Sequence, residues 1–183
     1  MSALLTLDAA GYLAGVAQIA SPNCDARPEG MAVELLVIHN ISLPPGRFGG
    51  SGVVELFTNR LDPDADPYFR AIAAMRVSAH FLIRRDGTVL QFVPTEMRAW
   101  HAGASNWRGR PRCNDFSVGI ELEGSDDVAF EPAQYNVLAA LARTLCDRYA
   151  IADIVGHSDI APGRKTDPGP CFDWPRLREL VGR

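Results

Sequence analysis

A mixed β-sheet with helices on its faces, an α/β (α+β) architecture, is the fold class that this 183-residue chain predicts. Three observations carry the prediction. Residues 34–40 and 117–123 are short apolar runs with the length and composition of core strands. Asp86-Gly87 separates two further apolar runs, over 77–83 and 88–93, and is a strong hairpin signal. Residues 132–149 repeat apolar side chains at helical spacing through Tyr135, Leu138, Leu141, Ala142 and Leu145, with Glu131 or Pro132 opening the helix.

The length favours one domain over residues 1–183. Hydrophobic residues at 47% and charged residues at 22% match globular proteins, so disorder is not expected. The formal net charge is −4 and no basic run is present. That balance argues against nucleic acid or an anionic membrane surface as partner. No apolar run has the length of a membrane span. Residues 1–8 lack the basic start of a secretory signal, and Asp8 interrupts any apolar stretch, so a cytoplasmic location is expected. Cys24, Cys113, Cys146 and Cys171 form no CxxC pair and read as free thiols. Cys171 is a minor candidate ligand because it lies near the polar loop described below.

Taken in order, residues 8–20 carry a sparse apolar pattern (Leu13, Val16, Ile19) that reads as a short strand or helix. Ser21-Pro22-Asn23 and Arg27-Pro28-Glu29-Gly30 read as turns. The strand over 34–40 ends in His39 and Asn40 and breaks into Ser42-Leu43-Pro44-Pro45-Gly46. Beyond strand ends, side chains converge without being packed over. His39 is thus either a ligand or a histidine bonded to a backbone carbonyl. Residues 51–60 read as a short helix, 61–67 as a connector, and 68–75 as a further helix or covering loop. His80, at the start of the hairpin, either lines a pocket or makes a structural hydrogen bond. Residues 98–114 form a long loop rich in Gly and Arg. Its Trp100, Trp107, Arg110 and Arg112 suit sugar stacking and carboxylate binding, or else the tryptophans anchor the loop.

In the strand over 117–123, Val118, Ile120 and Leu122 share one face, while Gly119, Glu121 and Glu123 share the other. A carboxylate at position 121 is costly there unless its face lines a pocket or it is partnered. Glu123, near the strand end, reads as a carboxylate bonded to a loop or solvated. A strand over 151–155 leads to His157. Asp173 caps a last helix from Trp174-Pro175 through Leu180.

Residues 156–170 gather a histidine, a lysine and several carboxylates in a loop restricted by Pro162, Pro168 and Pro170. It is either a stiff connector or a site holding ligands in fixed geometry. His39, His157 and Asp167 together supply two imidazoles and a carboxylate, a donor set for one catalytic Zn²⁺ with an open position. Glu121 suits the role of base for a water proton, and Lys165 that of oxyanion stabiliser. No GxSxG, paired Cys/His signature or phosphate-binding Gly loop is present.

The segments Val37-Ile38-His39-Asn40-Ile41-Ser42, Val77-Ser78-Ala79-His80, Trp100-His101-Ala102-Gly103, Asn114 through Gly124, and Gly156-His157 through Gly169 closely resemble the amidase_2 family. The resemblance runs from about residue 21 to the C-terminus. It is closest to the cytoplasmic branch that acts on anhydro-muropeptides. It implies a mixed sheet flanked by helices, as in peptidoglycan-recognition proteins. It also implies one zinc held by His39, His157 and Asp167, with Glu121 and Lys165 catalytic. Asn40, Arg76, Trp100 and Arg112 match positions lining the product pocket, the arginines suiting stem-peptide carboxylates.

The reaction so implied is cleavage of the amide between the lactyl group of 1,6-anhydro-N-acetylmuramic acid and L-alanine, in peptidoglycan recycling. It removes muropeptides that signal β-lactamase induction. The expected partner is the anhydro-muropeptide, with no obligate protein partner evident. Many relatives in the wider superfamily carry Cys at this position, and the Asp167 found here argues against a generic recognition protein. The alternatives are a non-catalytic muropeptide-binding protein of the same fold and an envelope amidase acting on intact peptidoglycan.

Overall fold

The computed structural model describes residues 5–182. In chain order the elements are β1 (Ala17–Gln18), β2 (Cys24–Ala26), β3 (Leu35–Ile41), α1 (Gly52–Phe57), α2 (Phe69–Ile72), β4 (Phe81–Ile83), β5 (Val89–Gln91), β6 (Met97–Ala99), β7 (Asn106–Trp107), β8 (Arg110–Pro111), β9 (Ser117–Glu123), α3 (Pro132–Arg148), β10 (Asp153–Gly156), α4 (His157–Ile160) and α5 (Trp174–Val181). The main sheet runs β1-β5-β4-β9-β3-β10. Its β4–β5 pair is antiparallel and its other pairings are parallel, so the sheet is mixed as expected.

The two central strands show why the sheet has one face for stability and one for chemistry. Leu36 and Ile38 of β3, with Val118, Ile120 and Leu122 of β9, pack against Leu138, Leu141 and Leu145 of α3. Burying each such leucine is worth about 1.5–3 kcal/mol relative to leaving it exposed. α3 starts with a capping box, in which the Glu131 backbone N–H donates to Gln134 Oε1 at 3.0 Å. α5 packs beside it, with Asp173 accepting from the Arg176 N–H at 3.0 Å as an N-cap. The alternate residues of the same strands face the other way. There Leu35 and Val37 join Ala102, Phe116 and Ile160 in one apolar cluster. Leu82 joins Val53, Leu56, Phe57 and Phe69 from α1 and α2 in another. His39 and Glu121 lie on this second face.

Several boundaries differ from the sequence expectation. Residues 8–20 form only the two-residue β1 and an isolated bridge between Leu7 and Leu13. The helix expected over 51–60 is Gly52–Phe57, and that over 68–75 is Phe69–Ile72. The last strand is Asp153–Gly156 rather than 151–155. The long loop contains structure of its own: β6 pairs with β2, and β7 with β8. Such two- and three-residue pairings are set by tertiary contact and leave no periodic pattern. Residues 1–4, on which part of the reading of the N-terminus rests, lie outside the described residues. No helix among the described residues is long and apolar enough to cross a membrane.

Candidate active site

Three neighbouring strands deliver the central groups. β3 lies between β9 and β10. In the parallel β3–β9 register His39 stands opposite Glu121. On the other side Gly156 stands opposite Ile38, so the chain leaves β10 with His157 beside His39. His157 opens the one-turn helix α4 rather than lying in an irregular loop, and it is buried. Asp159 Oδ2 accepts from the Gly156 N–H at 2.7 Å and so shapes that helix start. Asp167 returns to the same place because its carbonyl accepts from the Ser158 N–H at 2.9 Å.

His39 Nδ1, His157 Nδ1 and Asp167 Oδ2 form a nearly equilateral triangle: His39 to His157 3.0 Å, His39 to Asp167 3.0 Å, and His157 to Asp167 3.1 Å. It is the one such group of metal-capable side chains among the described residues. His157 Nε2 lies 3.1 Å from the Ala102 carbonyl oxygen, which can only accept. The proton of a neutral His157 ring is therefore on Nε2, and its Nδ1 presents a lone pair to the triangle. Burial pushes His39 down to about 4, so it is neutral at pH 7. Asp167 Oδ2 brings a carboxylate oxygen to within 3.0 Å of His39 Nδ1 and 3.1 Å of His157 Nδ1. Lone pairs thus converge on one point, a cation's environment. Tetrahedral donors at 2.0–2.1 Å from zinc lie about 3.3 Å apart, within a few tenths of an ångström of this triangle. The donor set fits Zn²⁺.

Glu121 is buried, and its Oε2 has no hydrogen-bond partner. Burial pushes its carboxyl well above the carboxylate range; the negative Asp167 adds to this and the Lys165 ammonium opposes it. A buried carboxyl without a partner costs stability, and such perturbed groups cluster at functional sites. These groups line one cleft of about 380 Å³. Its other wall is apolar, formed by Leu56, Phe57, Tyr68, Ile72, Met75 and Val77. Tyr68 and Met75 are exposed large hydrophobic side chains.

A model of the N-acetylmuramoyl-L-alanine amidase family (Amidase_2) matches residues 29–170. The chain belongs to the N-acetylmuramoyl-L-alanine amidase family. This amidase is 57% identical over 175 residues to the 1,6-anhydro-N-acetylmuramyl-L-alanine amidase AmpD of Escherichia coli K12, covering 94% of this chain and 96% of that protein. It is 52% identical over 174 residues to AmpD of Haemophilus influenzae, covering 93% and 95% respectively. A crystal structure of a Se-Met AmpD derivative matches with a TM-score of 0.94 at 58% identity, over 96% of this chain and 99% of that one. The E. coli amidase AmiD, solved with the substrate anhydro-N-acetylmuramic acid-L-Ala-D-gamma-Glu-L-Lys, matches with a TM-score of 0.59 at 33% identity, over 97% of this chain and 65% of that one. The fold and family implied by the sequence motifs are those found.

Of the residues singled out in the sequence of this amidase, His39, Asn40, Trp100, Glu121, His157, Lys165 and Asp167 all line the cleft. Asn40 Nδ2 donates to Asp126 Oδ1 at 2.7 Å and to the Pro168 carbonyl at 3.1 Å. The Trp100 indole N–H donates to Asp25 at 3.1 Å. Arg76 and Arg112 do not line the cleft. Arg76 is exposed and donates to the Ala74 and Met75 carbonyls. Arg112 is exposed and pairs with Asp115 at 2.9 Å. His80 is structural: its Nδ1 accepts from the Gly119 N–H at 3.0 Å, and its Nε2 faces the Met97 carbonyl at 3.1 Å. Glu123 is bonded to loops, accepting from the Gly49 N–H and from Arg84, both at 2.7 Å. Cys171 is outside the donor triangle. Sequence reasoning passed over His101, whose ring lies against His39 with centroids 5.0 Å apart. The available signal was Gly119, since a glycine inside a strand often marks a close approach.

Proposed function

We propose that this amidase is a zinc-dependent, single-domain enzyme of the cytoplasm. Its reaction is hydrolysis of the amide joining the lactyl group of 1,6-anhydro-N-acetylmuramic acid to L-alanine of the stem peptide. That places it in peptidoglycan recycling and gives it an indirect hold on β-lactamase induction. The observation that carries the reading is the donor triangle of His39, His157 and Asp167 beside the buried, unpartnered Glu121 carboxyl, in a cleft open to substrate. The extent of identity to AmpD supports the anhydro-muropeptide as substrate.

His39, His157 and Asp167 would hold the ion. When bound there, zinc polarises the amide carbonyl and makes water more acidic. Glu121 takes the proton from the attacking water, for which its raised proton affinity suits it, and then hands that proton to the departing L-alanine nitrogen. Lys165 lies on the same cleft and its charge reaches Glu121. Its ammonium stabilises the negative charge that develops on the carbonyl oxygen. Asn40 and Trp100 contact the sugar or the first residues of the peptide. Arg76 and Arg112 would reach stem-peptide carboxylates only by leaving their present partners.

Incubation with purified anhydro-muropeptide and, separately, with intact peptidoglycan tests this directly. Mass spectrometry should detect free stem peptide from the anhydro-muropeptide, none after chelation, and recovery on adding Zn²⁺. Release from intact peptidoglycan at an equal or greater rate would favour an envelope amidase. No release from either substrate would favour a binding protein.

A further inference from the structure

His101 and Ser117 form a chain of hydrogen bonds behind His39, and the direction of each bond is forced. Ser117 Oγ lies 2.6 Å from the Cys113 carbonyl oxygen, which only accepts, so the hydroxyl proton points there. The same Oγ lies 3.1 Å from His101 Nε2 and must accept from it. A neutral His101 ring then carries its single proton on Nε2 and presents a lone pair at Nδ1. That Nδ1 lies 2.9 Å from His39 Nε2, which therefore donates. His39 is left with its lone pair at Nδ1, the atom in the donor triangle.

The backbone around His101 is built to keep it there. The His101 and Ala102 N–H groups both donate to Asn114 Oδ1, at 3.1 and 2.8 Å. The carbonyl of Ala102 faces His157 Nε2 and also accepts from Arg164 at 2.7 Å. Gly119 leaves the room the ring occupies, since a Cβ there would sit 2.4 Å from His101 Cγ.

We propose that His101 is a positioning residue of the metal centre. It holds His39 in the Nε2–H form and aims Nδ1 at the ion, with Ser117 fixing the orientation of His101 in turn. The same short loop serves both imidazoles, because the next residue, Ala102, does for His157 with its carbonyl what His101 does for His39 with its ring. The inference rests on the reading of the triangle as a zinc site. Hydrogen bonds of this kind to ligating imidazoles are worth roughly 10- to 100-fold in metal affinity.

The test is a competition titration with a chromophoric zinc chelator on the full chain, comparing wild type with His101→Ala, His101→Asn and Ser117→Ala. Thermal melts of the zinc-free forms run alongside. His101→Ala should bind zinc roughly 10- to 100-fold more weakly. Asn can present an oxygen acceptor near the place of Nδ1, so His101→Asn should recover much of that loss. On ¹⁵N-labelled, zinc-loaded wild type, His39 should show an Nε2–H coupled across the hydrogen bond to His101 Nδ1. Equal zinc affinities in wild type and His101→Ala, with only the melting temperature lowered, would overturn the proposal. Should His101→Ala fail to fold, Ser117→Ala decides. It keeps the ring and removes only the acceptor, so weaker zinc binding supports the role and unchanged binding refutes it. Wild type that takes up no zinc would be a separate failure, of the metal centre itself.

Discussion

Replacing Gly119 by alanine should damage both the fold and the site, through one atom. The added Cβ would lie 2.4 Å from His101 Cγ, 2.6 Å from Nδ1 and 2.7 Å from Cδ2. Ordinary carbon contacts are about 3.5–4.0 Å, so the ring must retreat by about 1 Å or more. Such a shift breaks its bonds to His39 at 2.9 Å and Ser117 at 3.1 Å. Overpacking of this kind costs about 1–3 kcal/mol, and each lost buried hydrogen bond about 1 kcal/mol. Alanine offsets about 0.5–1 kcal/mol by restricting the unfolded chain. A net loss of about 3 kcal/mol corresponds to a drop in Tm of about 6–12 °C in a chain of this size. A misplacement of about 1 Å at a catalytic centre can also cost on the order of 100-fold in rate. Calorimetry and kcat/KM on anhydro-muropeptide read the two effects. A variant with wild-type Tm and wild-type kcat/KM would refute the packing of His101 against β9.

Three further expectations can be checked together. Buried His80 has its pKa pushed down to about 3, chiefly by burial. The unfolded chain, with a histidine pKa of about 6.5, takes up a proton that the folded chain refuses, so this contribution is complete above about pH 7.5 and is lost as the pH falls through 6.5 towards 3. His80 alone should lower stability by about 2 kcal/mol between pH 7.5 and 5, seen by urea denaturation of zinc-free protein; a flat profile would contradict it. Lys165→Met should lower kcat on the order of 10²- to 10³-fold with little change in zinc affinity, because an oxyanion stabiliser acts on the transition state. Removing zinc should lower Tm as well as abolish turnover, since a ligand at 100 times its Kd stabilises by about 2.7 kcal/mol; identical melts with and without metal would contradict a zinc site.

Most of the site was legible because its residues sit where local pattern is strong. β3 and β9 are apolar runs, so His39 at the end of one and Glu121 inside the other stood out against their surroundings. Their direct pairing was not legible, because register between strands is decided by the whole sheet. The convergence of Asp167 on His157 depends on the fold of a loop without periodicity. β2 and β6 have only three residues each, too few to show alternation. His101 was hidden for a different reason. Its role is visible only when the Ser117 hydroxyl, the Gly119 backbone and the His39 ring are brought around it, from segments that are distant in the chain. Arg76 and Arg112 show the converse: arginines that suit a carboxylate ligand by type, yet here turn to their own backbone and to Asp115.

Turnover of anhydro-muropeptide by Glu121→Gln, at confirmed zinc content, bears most directly on the proposed chemistry. Glutamine preserves the shape of the buried carboxyl but cannot take a proton from water. The variant should bind one zinc as wild type does and lose on the order of 10²- to 10⁴-fold in kcat. A variant that holds its zinc and turns over within a few-fold of wild type would contradict the assignment of Glu121 as the base.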